Sequence, residues 1–263
     1  MSRADRPDAP RLPDVHNGSI MPTDVRCLVE TEESSGVVRL TGVLDRSVVG
    51  LVRDALLMRL ADRPGPAIVD LTGLRVTDTA ARRVFAEVHQ EVSCWPAADV
   101  LICDPAGASE GDGVPVWPTL DQAVAALARS PMAAVLTADL APVVGAAGQA
   151  RALVTDGCTR WGVPELAEPA CIAVTEMVNN VVAHALTPMT VRLAPRDNSL
   201  HVAVRDHSPR QPSYAGLVPL TSTGGRGLLL IDTVARRWGS SPVPDGKMVW
   251  CVLHAEDEAT VQG

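Results

Sequence analysis

The sequence predicts two successive layers: an α/β sheet with interleaved helices, then a two-layer α+β sandwich. Three observations predict this. Between Cys27 and Arg129, short apolar runs rich in β-branched residues alternate with segments of helical period. Beyond about residue 135 the order changes, with two helical segments first and paired period-2 runs after them. Finally, 46% of the 263 residues are apolar, enough for two cores, and a chain of this length favours two units over one.

Residues 1–22 are rich in Pro, Asp and Arg, lack periodicity, and read as a disordered arm. The first unit, 23–130, opens with strand patterns in "CLVETE" and "GVVRLTGVLD". In "RSVVGLVRDALLMRLAD", Val48, Val49, Val52, Leu56, Leu57 and Leu60 share one helical face. "PGPAIVDLTGL" is a strand running into a loop, and "DTAARRVFAEVHQEV" a helix with Val84, Phe85 and Val88 inward. "ADVLICD" gives another strand, and "TLDQAVAALAR" a helix capped by Thr119 or Asp121. "SPMAA" reads as the joint between the units.

The second unit, 131–256, begins with a strand near Val135–Leu140 and a helix near Val143–Trp161, broken at "WGVPEL". A helix from about Leu166 to Leu186 follows, then "MTVRLAP" and "LHVAVRD" as strands joined by a turn at "RDNS". A polar loop leads to "RGLLLIDTVARRWG", read as a helix, and "KMVWCVLHA" closes the sheet. Residues 257–263 form a tail.

Composition excludes several function classes. The net charge is −8 with no basic block, which argues against a nucleic-acid partner, because phosphate backbones need a cationic footprint. The N-terminus lacks the apolar core of a signal peptide, and no apolar run approaches the ~20 residues of a membrane helix, so a cytoplasmic location is expected. Six scattered cysteines without a CxxC pair read as reduced thiols. Lys247 is the only lysine against 22 arginines, and neither a GxxxxGK[ST] loop nor the V-A-I-K and H-R-D motifs of common protein kinases occurs. Nucleotide chemistry here needs another scaffold.

Three stretches could carry such chemistry. In "TEMVNNVVAHA" a glutamate and two asparagines interrupt an apolar helix, although asparagine is a poor interior helix former. Cys171, Val174, Val178, Val181, Val182 and Ala185 share one face, while Glu176 and Asn180, one turn apart, lie opposite with Ala173 and Ala183 beside them. That face is either solvated or the lining of a pocket. In "STGGRGLLLIDTVA", Gly224, Gly225 and Gly227 precede or open a helix, where free N–H groups favour anions and missing side chains admit a ligand; a plain loop entering a helix is the alternative. In "VAVRDHSPR", Asp206 ends a strand facing a loop.

In this order and spacing, the three stretches resemble the ATPase domain shared by DNA gyrase, histidine kinases and the anti-sigma factor serine kinases. "ELAEPACIAVTEMVNNVVAHA" is similar to that family's E-x-x-x-N box, "VRDHSPRQP" to its first nucleotide box and "TGGRGLLLIDTVARRWG" to its glycine box. The short spacing and "GGRGL…D…A…RWG" look most like the anti-sigma kinases. The resemblance implies ATP and Mg²⁺ as cofactors. It implies that Asn180 offers its amide oxygen to Mg²⁺, Glu176 serves as general base, and Asp206 accepts a hydrogen bond from the adenine amino group. Gly225 and Gly227 would close over the phosphates, with Gly224 and Leu228 in the same box and Arg226 as a charge partner; Asn179 has a lining or capping role. Where the family commonly has D-x-G-x-G, Asp206 is followed here by His207, Ser208, Pro209 and Arg210.

The family's other trades need features not found here. The only upstream histidines are His16 and His89, and His89 lacks the H-E-x-x-x-P context of a phospho-accepting histidine. A gyrase-type ATPase needs a transducer domain, whereas the sequence ends about nine residues past the final strand pattern. In the first unit, "VVRLTGVLD" and "AIVDLTGLRVTDTAARRVFAEV" resemble the STAS domain of anti-sigma factor antagonists, which are phosphorylated on a Ser or Thr after an Asp at a helix start. That position is Thr79, after Asp78, with Ala81 where the family usually has glycine. The alternative is that Asp78 or Thr79 is simply an N-cap.

The resemblance therefore implies a STAS-like domain joined to an anti-sigma kinase-type domain that phosphorylates a STAS protein. Its partners would be a STAS antagonist, a sigma factor or both, and a homodimer is compatible with this reading. A nucleotide-gated binding module without transfer is the alternative. A first domain that senses a ligand and gates the second is a third.

Overall fold

The computed structural model describes residues 27–31, 36–107, 113–129, 134–211 and 226–255. The expected arm at 1–22, the joint at 130–133, Gly224, Gly225 and the tail lie outside the described residues, and of Arg226 and Gly227 only the backbone is described. Among the described residues, no helix is long and apolar enough to cross a membrane.

The first unit is a five-stranded sheet of β1 (Cys27–Thr31), β2 (Val37–Leu44), β3 (Ala67–Val76), β4 (Val100–Cys103) and β5 (Val116–Trp117), in that spatial order. β1 and β2 pair antiparallel, and β2 through β5 run parallel. Alternation along the strands divides the packing. Ala67, Val69, Leu71, Val100 and Ile102 face α1 (Val49–Asp62) and α2 (Arg83–Val92), while Ile68, Leu101 and Cys103 face Ala123 of α3 (Leu120–Arg129). Thr119 caps α3, its Oγ1 accepting from Gln122 N at 3.3 Å. The two-residue strand β5 is too short to leave a periodic signal in sequence.

The second unit is an antiparallel sheet in the order β6 (Leu136–Leu140), β7 (Met189–Arg196), β8 (Ser199–Asp206), β10 (Gly246–His254), β9 (Arg237–Val243). Helices α4 (Ala146–Trp161), α5 (Ala167–Asn180) and α6 (Arg226–Val234) cover one face. Here the expected last helix is corrected. It stops at Val234, and Arg237 to Val243, read in part as its continuation, forms β9. Tertiary pairing outweighs local propensity: Gly239 lies opposite Trp250, where a Cβ would fall 2.6 Å from the indole.

The other face of this sheet is covered by the first unit. Ala203, Val243 and Met248 belong to the same apolar cluster as α1 and α2, with Trp250 packed against it. Every residue of β8 is consequently buried, including its polar set Ser199, His201 and Arg205. The polar side chains on this face reach partners across the seam, although Nε of Arg192 and of Arg205 is buried without one among the described residues. Arg192 donates to Leu60 O at 3.3 Å and Asp62 O at 2.8 Å, at the C-terminus of α1. Arg196 donates to Ser93 O at 2.8 Å and Ala98 O at 3.4 Å, just beyond α2. Unpaired carbonyls and the negative dipole end of a helix favour cations there. Arg205 bonds Asp62 and forks onto both oxygens of Asp245 at 2.9 Å. The indoles of Trp95 and Trp250 both donate to Ser241 Oγ, at 3.4 and 3.3 Å.

His201 lies 3.1 Å, through Nδ1, from Cys94 O. A carbonyl only accepts, so the ring carries its proton on Nδ1. Burial, then the neighbouring Arg196, lowers its pKa from 6.5 to about 4. The unfolded chain binds a proton below pH 6.5 that the folded chain refuses, so stability falls as pH drops from about 6.5 towards 4. Complete titration across this interval costs roughly 3 kcal/mol of folding free energy. Thermal denaturation followed against pH should show this loss, and His201→Gln, an amide that does not titrate, should flatten that part of the profile.

Candidate functional site

α5 places the first two candidate residues. Ala170, Ala173, Val174, Met177 and Val178 are its buried stripe, so Ala173 packs in the core instead of lining space beside Glu176. Glu176 and Asn180 are half-buried one turn apart, and Asn179 is exposed. Immediately after Asn180 the helix widens into a π-helical turn, Val181–Ala185, which ends at Leu186 with φ 56°. Such widened turns often accompany functional sites.

α6 packs directly on α5, with Leu228 and Ile231 buried in the same core as Val174 and Val178. The backbone of Arg226 and Gly227, in the first turn of α6, is thereby brought to α5. Leu228 is buried and contributes its side chain to the core.

Asp206 ends β8 and shares its alternation with Leu200, Val202 and Val204, which face the helices. It is 1% exposed. Its Oδ1 accepts from Lys247 Nζ and from Ser208 N, each at 2.8 Å. Lys247 also donates to Ser208 O at 3.2 Å. The loop that replaces the family's glycines is thus tied to the strand end by an ammonium and a tight side-chain turn. Lys247 is itself buried and stands opposite Asp206 in the β8–β10 register. Gly246 allows this approach, since a Cβ there would fall 2.0 Å from Asp206 O.

Sequence reasoning missed Lys247. Its one signal was compositional: a single lysine among 22 arginines marks a place where a compact point charge suits and a planar fork does not. Its pairing with Asp206 joins strands 41 residues apart and leaves no local trace.

The structure does not bring Thr79 to this group. Thr79 begins a 3-10 turn, Thr79–Arg82, that leads into α2, and it is exposed. Asp78 caps that turn, its Oδ1 accepting from Ala80 N at 2.9 Å while Arg46 Nε holds Oδ2 at 2.6 Å. The opposite end of α2 abuts the second unit, and roughly 20 Å of helix separates Thr79 from that end. Glu176 and Asn180 lie beyond it, on the helix-covered side of the second sheet.

Two substitutions separate the roles at Asp206. Lys247→Met strands a buried carboxylate and should lower unfolding free energy by roughly 3–5 kcal/mol. Gly246→Ala should cost about 1–3 kcal/mol by overpacking against the Asp206 backbone. Denaturant unfolding of each variant measures both.

Comparison with known proteins gives these units names. Residues 27–107 match the family model for the STAS domain, and residues 140–253 that for the histidine kinase-like ATPase domain. An uncharacterized protein of Streptomyces coelicolor, SCO4941, is 38% identical over 81 residues, covering 29% of this chain and 77% of that protein. Among solved structures, the RsbU and RsbW domains of Rv1364c from Mycobacterium tuberculosis align at 16% identity with a TM-score of 0.36, covering 46% of this chain and 32% of that one. An anti-sigma factor antagonist from Mycobacterium paratuberculosis aligns at 22% identity with a TM-score of 0.31, covering 39% of this chain and 92% of that one. Glu176, Asn180 and Asp206 all fall inside the ATPase match, which implies an ATP site. The chain thus belongs with the proteins that join a STAS domain to a histidine kinase-like ATPase domain.

Proposed function

We propose that the chain is a partner-switching regulator that binds Mg-ATP and transfers the γ-phosphoryl group to a hydroxyl of a STAS-domain partner. The observation carrying this reading is the convergence on one side of the second sheet. Glu176 and Asn180 stand one turn apart on α5, the first turn of α6 packs against that helix, and Asp206 ends a strand on the same side.

The residues present fit the ligand. Among the described residues no group of three His, Cys, Asp or Glu side chains could cage a metal. A magnesium ion would therefore rely on the Asn180 amide oxygen, phosphate oxygens and water, its common mode with nucleotides. Bound there, it would supply neutralisation of phosphate charge. Asp206 accepts from the adenine amino group, and Gly224, Gly225 and Gly227 let backbone N–H groups approach the phosphates, with Arg226 as a charge partner. Glu176 takes the proton from the attacking hydroxyl. With little covalent work to do, the site acts mainly by position and charge.

The STAS partner is supplied in trans. Thr79 of the same chain lies at the end of α2 away from the seam between the units, so the hydroxyl reaching Glu176 belongs to another molecule, either a separate STAS antagonist or a second copy. A sigma factor would compete for the same regulator. A second reading, nucleotide-gated binding without transfer, is favoured by one observation: Lys247 and Ser208 already occupy Asp206 Oδ1.

Calorimetry with ATP and Mg²⁺ should show binding by the unmodified chain and its loss in Asn180→Ala. Glu176→Gln should retain that binding while transfer to a STAS substrate, followed with labelled ATP, falls by about 10²–10⁴. Binding without any transfer by the unmodified chain would select the second reading. In a mixture of a Glu176→Gln chain with a Thr79→Ala chain, label should appear at Thr79 of the former. Its absence, with the unmodified chain labelled at that residue, would require a same-chain route.

A further inference from the structure

A second polar site lies on the opposite face of the ATPase sheet. Between the end of α2 and the outer face of β8, β9 and β10 is a cleft of about 360 Å³, within the size range of small-molecule sites. Arg196, Arg236 and Arg237 line it, together with His201 and His254. Ser93 from the STAS domain and Ser199 from the ATPase domain line it from either side, their hydroxyls donating to Gln90 O and Arg196 O.

This wall is unusual in a chain of net charge −8. Arg196 is partly engaged, bonding Ser93 O and Ala98 O and standing 3.8 Å from an oxygen of Asp99. Arg236 and Arg237 are exposed, and no carboxylate among the described residues pairs with either. An anion seated in the cleft would supply the counter-charge these arginines lack. Guanidinium forks bind carboxylate and phosphate alike, and the double charge of a phosphate dianion answers more than one arginine at once.

We infer that this cleft binds a small phosphate dianion, such as a phosphate monoester or pyrophosphate, and that the ligand ties the STAS domain to the ATPase sheet. A long polyanion is disfavoured, because the surrounding protein carries net negative charge and the cationic surface is confined to the cleft. An anion placed beside His201 favours its protonated form and so opposes the lowering of its pKa by burial and Arg196. The site stands independently of any transfer chemistry at Glu176, which lies across the sheet.

Inorganic pyrophosphate is the probe, with the full chain and no nucleotide or magnesium added. Calorimetry should show saturable binding by the unmodified chain, weakened at least tenfold in Arg236→Ala/Arg237→Ala, whose exposed side chains leave the fold intact by circular dichroism. Histidine-selective NMR locates the ligand: the His201 and His254 imidazole signals should shift on titration. His184, in the π-helical turn beside Asn180, should not. Equal affinity in the double variant, no saturable binding, or a shift confined to His184 would overturn the assignment.

Discussion

The architecture depends on how the second sheet buries its outer face. An antiparallel sheet usually leaves one face to water, and its strands then alternate apolar and polar. Here both faces of β8 are covered, and the polar set is buried with the rest. That is tolerable because His201 reaches Cys94 O and Arg205 reaches Asp62, while Arg192 of the neighbouring β7 reaches the last carbonyls of α1. The first domain presents helix C-termini, and the second answers with cations. Without those partners, buried guanidiniums would cost several kcal/mol each.

This docking also decides what each domain can offer. By fixing the C-terminal ends of α1 and α2 against the sheet, it directs the start of α2, with Thr79, outwards. The face bearing α5 and α6 is left clear of the chain's own STAS domain. The candidate residues of the two domains thus lie on different sides of the docked sheets. The seam itself is not closely packed along its whole length. Where it opens beside Ser93 and Arg236, it leaves room for something small.

Much of this was legible in the sequence where the physics is local. The apolar period of Val52, Leu56, Leu57 and Leu60 marks α1, and that of Val84, Phe85 and Val88 marks α2. The Glu176–Asn180 spacing, with a glycine-bearing helix start further on, pointed to one surface, and α6 does pack on α5. Long-range physics was not legible. Arg237 to Gly239 read as the end of an apolar helix in sequence, and they open a strand because β10 offers them hydrogen bonds. His201 and Arg205 alternate with apolar residues along β8, and nothing nearby in sequence announces that the first unit covers them. Ala173 was assigned to the polar face of α5 from the wheel alone, and the packing of its neighbours draws it into the core.

The solitary ammonium at Lys247 has a chemical consequence for the whole molecule. Its exposed cations are guanidinium groups, while its one side-chain amine is 6% exposed and held by Asp206. Acylating reagents, enzymatic acetylation and any tag that needs an ε-amino group therefore find almost no purchase on the native surface apart from the chain terminus. A modification that does arrive at Lys247 records a moment when the end of β8 and its partner strand came apart.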